Sequence, residues 1–120
     1  MTDQENKPAS TGLPAATAVK LVELVNYGED AIVSRTLAKS KAGTMTVFAF
    51  DRGQSLSEHT APFDAFVTAL EGTIELTIGG QPVVAQTGET VLMPANIPHA
   101  VDAPARMKML LVLFRDGGAA

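Results

Sequence analysis

Apolar and polar residues alternate along several short segments of this chain, which is the pattern of half-buried β-strands. In residues 73–78, three apolar residues alternate with threonine and glutamate. Gly79-Gly80 follows and predicts a two-residue hairpin, because consecutive glycines accept the positive φ angles of a type I′ turn. Strand signals recur at short, regular spacing without an amphipathic helix of useful length, so the pattern predicts an all-β sandwich or barrel.

The last strand-like segment, residues 107–114, is apolar on both faces except at Lys108. Such a pattern is typical of a strand that is covered on both sides. Met107 and Met109 either pack in the core, as methionine ordinarily does, or line an apolar pocket for a small ligand. We expect Lys108, of opposite parity, to be a solvated outer residue. The remaining outer residues, Leu110, Val112 and Phe114, need a cover, and a second subunit is the simplest one. The pattern therefore predicts a homodimer.

The chain divides into an arm and one domain. Residues 1–18 mix polar residues, proline and glycine without periodicity, and this predicts a flexible N-terminal arm. Residues 19–120 are predicted to form a single domain with a barrel core at about 31–115, because a chain of 120 residues builds one core. The apolar side of residues 19–27 is predicted to cover that core.

Composition excludes several functions. The net charge is −4 and lysine and arginine form no run, so we expect no binding to nucleic acid. No apolar run approaches the roughly 18 residues of a membrane span, and the polar N-terminus lacks the apolar stretch of a signal peptide. We therefore predict a cytoplasmic protein without membrane contact. Cysteine is absent, so any site uses histidine, carboxylate, amide or hydroxyl groups.

The two histidines of the chain, His59 and His99, are the candidate catalytic residues. Each lies in a separate short strand-like segment. On an unbroken strand, side chains at odd positions after His59 point the same way, so His59 is predicted to share a face with small apolar residues. The predicted pocket comprises Met45, Val47, Ala61, Ala65, Val67, Met107 and Met109.

The spacing around both histidines resembles the two motifs of small single-domain cupins. The first motif carries a glycine, two histidines, a glutamate and a second glycine; Gly53, His59 and Gly72 fall on it. Ala61 stands at its second histidine and Ala65 at its glutamate. The chain thus keeps one of the ligands that the first motif supplies in metal-binding cupins.

The second cupin motif is matched by Gly88, Pro94 and His99, with Asn96 at the position of a glycine. The resemblance spans about residues 31–115. It implies a jelly-roll β-barrel of two packed antiparallel sheets. It also implies a metal bound by three histidines and a glutamate, of which this chain keeps two.

A divalent ion (Fe, Mn, Ni or Zn) on His59 and His99 is one interpretation, with Asp64 as a carboxylate third ligand. Strand parity points Asp64 outward, but a bulge at Pro62 would turn it inward. A metal-free alternative uses a His59–Asp64 pair as general base. In the structural alternative, the histidines line the barrel and hydrogen-bond to Asp64, to each other or to water.

The function predicted from these residues is the binding of a small apolar or mixed-polarity organic molecule near His59 and His99, with no assigned reaction. The chain has no arginine cluster, so phosphorylated and polyanionic substrates are disfavoured. One alternative is a metal-dependent oxygenase or isomerase of the cupin type. Another is a non-catalytic dimeric accessory or regulatory protein.

Overall fold

The computed structural model describes residues 12–115, which form nine strands and one short 3₁₀ helix. Every strand pairing is antiparallel, and the all-β prediction is confirmed. No helix in this range is long and apolar enough to cross a membrane. The elements are the 3₁₀ helix Leu21–Glu23, β1 Ile32–Ser40, β2 Gly43–Phe50, β3 Ser55–His59, β4 Asp64–Glu71, β5 Ile74–Ile78, β6 Gln81–Ala85, β7 Thr90–Met93, β8 His99–Asp102 and β9 Met107–Phe114.

The strands form two sheets that share one apolar core. The larger sheet has the order β1-β2-β9-β4-β7, and the smaller has the order β3-β8-β5-β6. Strand β9 is the centre of the larger sheet, where it pairs with β2 on one side and β4 on the other. Buried residues from both sheets belong to the same cluster, so the sheets face each other across it.

The predicted hairpin at Gly79-Gly80 is confirmed. Ile78 pairs with Gln81, so the loop between β5 and β6 has two residues. Both glycines have positive φ angles, 57° and 82°, as a type I′ turn requires. This turn fixes the register that places Ile74 and Leu76 in the core.

The space between the sheets is filled at one end. We call this the packed end, and define it by the fully buried side chains of Phe50, Ile74, Leu76 and Met107. Fully burying an aliphatic or aromatic side chain of this size contributes roughly 1.5–3 kcal/mol. The packed end therefore supplies much of the free energy that holds the two sheets together.

The outer face of the larger sheet is covered in part by the N-terminal segment of the same chain. The segment around the 3₁₀ helix packs against outward-facing residues of β1, β2 and β9 in a second apolar cluster. Val25 is buried there, and Leu110 of β9 packs against the same cluster. The predicted cover by residues 19–27 therefore lies on the outside of the larger sheet.

Lys108 corrects one expectation, because its side chain is buried and not solvated. Its Nζ donates a hydrogen bond to the carbonyl oxygen of Val22 at 2.7 Å. The ammonium also lies 5.0 Å from the centre of the Tyr27 ring, a cation–π arrangement. The N-terminal segment covers the face of β9 that strand parity assigns to Lys108, and its carbonyl provides the partner that burial demands.

The predicted flexible arm, residues 1–18, lies largely outside the described residues. Within the described part, the amide of Gly12 donates to the carbonyl oxygen of Thr36 at 2.9 Å, alongside the edge strand β1. Residues 13–20 are exposed.

Candidate functional site

The two histidines meet at the end of the smaller sheet. His59 ends β3 and His99 begins β8, and the two residues are register partners in the pairing of these strands. Their rings are 4.4 Å apart at an interplanar angle of 71°, and the two Nε2 atoms face each other across 3.2 Å. The structure therefore brings together two residues that are forty positions apart in the sequence.

The backbone determines which ring nitrogen of each histidine carries the hydrogen. His59 Nδ1 lies 3.0 Å from the carbonyl oxygen of Ser57, and His99 Nδ1 lies 3.1 Å from that of Ile97. A carbonyl oxygen only accepts hydrogen bonds, so each Nδ1 is the donor. In the neutral form of each ring, Nε2 is consequently unprotonated and presents its lone pair to the other histidine.

Burial keeps His99 neutral at ordinary pH. The side chain is 5% exposed, and loss of hydration lowers its pKa below the usual value. The hydrogen bond to the Ile97 carbonyl raises the pKa in part, and a positive charge on His59 lowers it further. His59, in contrast, is exposed at the mouth of the site.

The loops that carry the histidines are hydrogen-bonded to each other. The amide of Asn96 donates to the carbonyl oxygen of Ala61 at 2.7 Å, and the amide of Ala95 donates to Asp64 Oδ1 at 2.9 Å. Asn96 has a φ of 65°, a left-handed conformation that asparagine tolerates better than most residues. This explains how asparagine can stand where the cupin motif has a glycine.

Asp64 does not join the two histidines. It is the first residue of β4, pairs with Phe114, and its carboxylate accepts the Ala95 amide instead of contacting an imidazole. Asp64 thus keeps the outward direction that strand parity assigns, without the inward turn that a bulge at Pro62 would give, and the alternative His59–Asp64 pair is not formed. Within residues 12–115, no group of three or more His, Cys, Asp and Glu side chains could hold a metal ion.

A cavity of about 260 Å³ lies between the sheets beside the imidazoles. We call this region the open end, in contrast to the packed end. Apart from the two histidines, its lining is apolar: Leu56, Ala61, Phe63, Ala65, Met93, Val101, Met109, Leu111 and Leu113.

Three of the seven residues predicted for the pocket line this cavity, namely Ala61, Ala65 and Met109. Val67 and Met107 face the same inter-sheet space but are buried in the core beyond the cavity lining.

Met45 and Val47 belong to the outer cluster, on the opposite face of the larger sheet, so the expectation that they line the cavity is wrong. The even-numbered residues of β2 face inward instead, and Phe50 is buried in the core between the sheets. The outer face of β2 is as apolar as its inner face because the N-terminal segment covers it.

Several lining residues were missed by the sequence prediction although a signal for them exists. Leu111 and Leu113 share the odd parity of Met109 on β9, and Phe63 shares that of Ala61 and Ala65. Phe63 is the odd position between the two predicted alanines, and two further odd positions after Met109 give Leu111 and Leu113, so complete alternation would have found all three.

Comparison with known families finds a match over more than half of the chain. The family model described as the cupin domain matches residues 46–113, which include both histidines. No curated protein matches the chain.

Solved structures give the same fold. A conserved protein of unknown function from Streptococcus pyogenes is 37% identical, with a TM-score of 0.82, over 88% of this chain and 92% of that one. A cupin 2 conserved barrel domain protein from Leptotrichia buccalis is 42% identical, with a TM-score of 0.75, over 78% of this chain and 45% of that one. A cupin superfamily protein from Desulfitobacterium hafniense is 27% identical, with a TM-score of 0.81, over 87% and 95%. These likenesses confirm the predicted jelly-roll barrel.

Proposed function

The chain belongs to the cupin family, and we propose that it binds a small organic molecule in the cavity between its two sheets. The observation that carries this proposal is the chemistry of the open end, where an apolar cavity of about 260 Å³ contains two converging imidazoles. Ligand sites in proteins are typically apolar concavities with a few polar groups that orient the bound molecule.

Small residues at the open end support this proposal. Ala61 and Ala65 line the cavity, whereas the packed end of the same space is filled by large side chains such as Phe50 and Ile74. Protein interiors are ordinarily close-packed, so unfilled apolar volume beside polar groups indicates room for a ligand. His59 is exposed at the mouth, which gives a small molecule access from solvent.

A thermal-shift screen of small uncharged organic compounds tests the proposal. A compound that binds the folded protein alone raises its melting temperature, and the rise increases with compound concentration. Ala65→Leu, which occupies part of the cavity beside the histidines, is the matched control and should reduce the shift. If every compound leaves the melting temperature of the unsubstituted protein unchanged, ligand binding at this cavity is contradicted.

A divalent metal ion is the second candidate, favoured by the position of the imidazoles. Two nitrogen ligands about 2.1 Å from one ion lie roughly 3–3.5 Å apart at tetrahedral or octahedral angles, and the two Nε2 atoms are 3.2 Å apart. Each Nδ1 donates to a backbone carbonyl, as metal-binding histidines usually do. Among the described residues, no third His, Cys, Asp or Glu side chain joins the two imidazoles in a group that could hold a metal ion. The ligand set is therefore incomplete, and we assign no chemical step to a metal.

Elemental analysis separates the two candidates. Protein expressed with Fe, Mn, Ni and Zn supplied in turn is compared with His59→Ala. Near-stoichiometric metal that is lost in the variant would support a metal site and, with it, an oxygenase or isomerase of the cupin type. Trace metal in every preparation would contradict that candidate.

The homodimer and the cytoplasmic location stay predictions. One apolar row, Ala38, Met45, Val112, Phe66 and Leu92, crosses all five strands on the outer face of the larger sheet. Phe114 lies beside it and is 47% exposed. A second copy would cover this surface, as closed two-fold dimers do. Size-exclusion chromatography at several concentrations checks the dimer, and a monomer at every concentration would contradict it.

A further inference from the structure

The two imidazoles offer the cavity a pair of hydrogen-bond acceptors. Each Nδ1 hydrogen is already donated to a carbonyl oxygen two residues earlier in the chain. Only the two Nε2 lone pairs remain free to accept a hydrogen bond. They point towards each other, with 3.2 Å between the nitrogens. Two acceptors cannot hydrogen-bond to each other, so this arrangement is complementary to a hydrogen-bond donor placed against both.

The rest of the cavity adds neither a donor nor a charge. Its other lining residues among those described are all aliphatic, aromatic or methionine. Arg106 and Lys108 lie outside the cavity lining and are engaged elsewhere: Arg106 pairs with Asp51 at 2.9 Å, and Lys108 donates to the Val22 carbonyl. Arg115 lies over the ring of Phe63, 5.5 Å from its centre, but it is not part of the lining. A carboxylate or phosphate inside would therefore lose its hydration without gaining a counter-charge.

Cavity size limits the ligand further. A dry cavity of about 150 Å³ holds a benzene molecule, so the volume of about 260 Å³ admits one ring with a short substituent. Met93, Met109 and Phe63 provide polarisable and aromatic contact surface for such a ring.

We propose that the cavity recognises an uncharged, hydroxylated molecule of one-ring size, whose single O–H or N–H donates to Nε2 of both His59 and His99. This inference rests on the proposed function and specifies the ligand class for the same site. The donor group of the ligand supplies the hydrogen that the two unprotonated Nε2 atoms lack. The apolar ring fills the cavity against Ala65 and Leu113, which are neighbours on the inner face of the larger sheet.

Nuclear magnetic resonance of the two histidines, without a ligand, tests whether both Nε2 atoms are unprotonated. The chain contains only two histidines, so ¹⁵N-histidine labelling gives two sets of ring signals, and His59→Ala assigns them. At pH 8 both rings should carry hydrogen on Nδ1 and a bare Nε2. An Nε2–H form of either ring would overturn the proposal, because the site would then already contain its own donor.

Three matched probes test the ligand class at the same pH: phenol, toluene and benzoate. Phenol and toluene have nearly the same shape, but only phenol donates a hydrogen bond, and its hydroxyl, with a pKa of about 10, stays uncharged. By calorimetric titration, phenol should bind about tenfold more tightly than toluene, the ratio expected from one hydrogen bond. Phenol should also shift both Nε2 resonances, whereas toluene should not.

His59→Ala removes one acceptor from an exposed position and should reduce the phenol-to-toluene ratio to about threefold or less. Thr60→Ala, at the next exposed position outside the cavity lining, is the control and should keep the full ratio. A variant that retains the full ratio without His59 would overturn the assignment of its Nε2.

The outcomes distinguish this inference from the proposed function. If phenol and toluene bind equally, the cavity binds ligands but does not select a donor. If benzoate binds more tightly than phenol, a cation such as Arg115 governs selection and the uncharged class is wrong. If no probe or screened compound binds, the proposed function itself fails. A stoichiometric metal ion between the imidazoles would also overturn the inference, because the ion would occupy the position of the donor.

Discussion

The packed end and the open end of the inter-sheet space are built from the same strands. They differ in how completely side chains fill the space between the two sheets. Ala69 and Ala65 lie on the same face of β4, and both are buried. Both belong to the buried cluster that contains Ile74 and Phe50, but only Ala65 also lines the cavity beside the histidines. The same alternation along a strand thus yields dense packing at one end and free volume at the other.

This contrast separates stability from function. Large side chains at the packed end bury most of their surface and hold the sheets together. Alanines and imidazoles at the open end leave volume unfilled and expose ring nitrogens to it. Natural proteins commonly give up packing where a ligand binds, and four measurements can break or sharpen this division.

Truncation should produce the largest difference between the two ends. Ile74→Ala removes a fully buried side chain at the packed end and is expected to cost about 2–5 kcal/mol of unfolding free energy. Leu113→Ala enlarges a cavity that already exists and should cost less than half as much. Urea unfolding of the two variants checks this. Equal losses of unfolding free energy would show that both ends contribute equally to stability.

Enlarging the two alanines of β4 should give opposite results. Ala69→Leu overpacks a filled region and should cost about 1–3 kcal/mol. Ala65→Leu extends into free volume and should leave stability unchanged or raise it by about 1 kcal/mol, while ligand binding is weakened. Chemical denaturation together with a binding assay checks the pair. Comparable destabilisation by both substitutions would contradict a functional cavity at the open end.

The two ends should also respond to acid in different pH ranges. The folded protein holds His99 with a pKa below the ordinary value of 6.5, so the unfolded chain binds more protons below that pH. The free energy of unfolding should therefore fall as the pH drops from about 6.5 through the lower pKa that His99 has in the folded protein. Melting temperatures between pH 8 and pH 5 measure this slope, and His99→Gln should flatten it.

At the packed end, the hydrogen bond from Arg106 lowers the pKa of Asp51 to about 2 from its ordinary value of 3.8. Its stabilising contribution is present above the unfolded pKa and is lost only as the pH falls from about 4 towards 2. Asp51→Asn should therefore leave the slope between pH 8 and pH 5 unchanged. A change in that slope would contradict the assignment of the two pH ranges.

The smallest effect on stability is expected for His59→Ala. The side chain is exposed at the mouth of the cavity, and substitutions at such positions usually change stability by no more than about 0.5 kcal/mol. Binding of a hydroxylated ligand should nevertheless weaken. Thermal unfolding beside a binding titration checks the separation, and a large loss of stability would give His59 a structural role.

The fold was predictable from the sequence because its signals are local. Alternation in β5, the glycine pair after it and the motif positions around both histidines depend on neighbouring residues alone. Contact between the two histidines was one of the alternatives that the sequence left open. Prediction failed where the decisive partner is distant in the sequence.

Lys108 illustrates that limit. Its burial depends on the carbonyl of Val22, eighty-six residues earlier. The residue pattern of β9 alone cannot predict such a distant partner. Met45 and Val47 were assigned to the wrong face for the same reason, because the N-terminal segment makes the outer face of β2 equally apolar. The sequence left the direction of Asp64 open, because its carboxylate is held by the amide of Ala95, thirty-one residues later.

The hydrogen bonds from Asn96 to Ala61 and from Ala95 to Asp64 also bear on how the site opens. They tie the loop before His99 to the segment after His59. Local unfolding of either loop must break both bonds, so the two segments fluctuate as one cooperative unit. Amide hydrogens of Ala95 and Asn96 should then exchange with solvent at similar, slow rates although they lie in a loop. We therefore expect the imidazole pair to be assembled and lost in a single event.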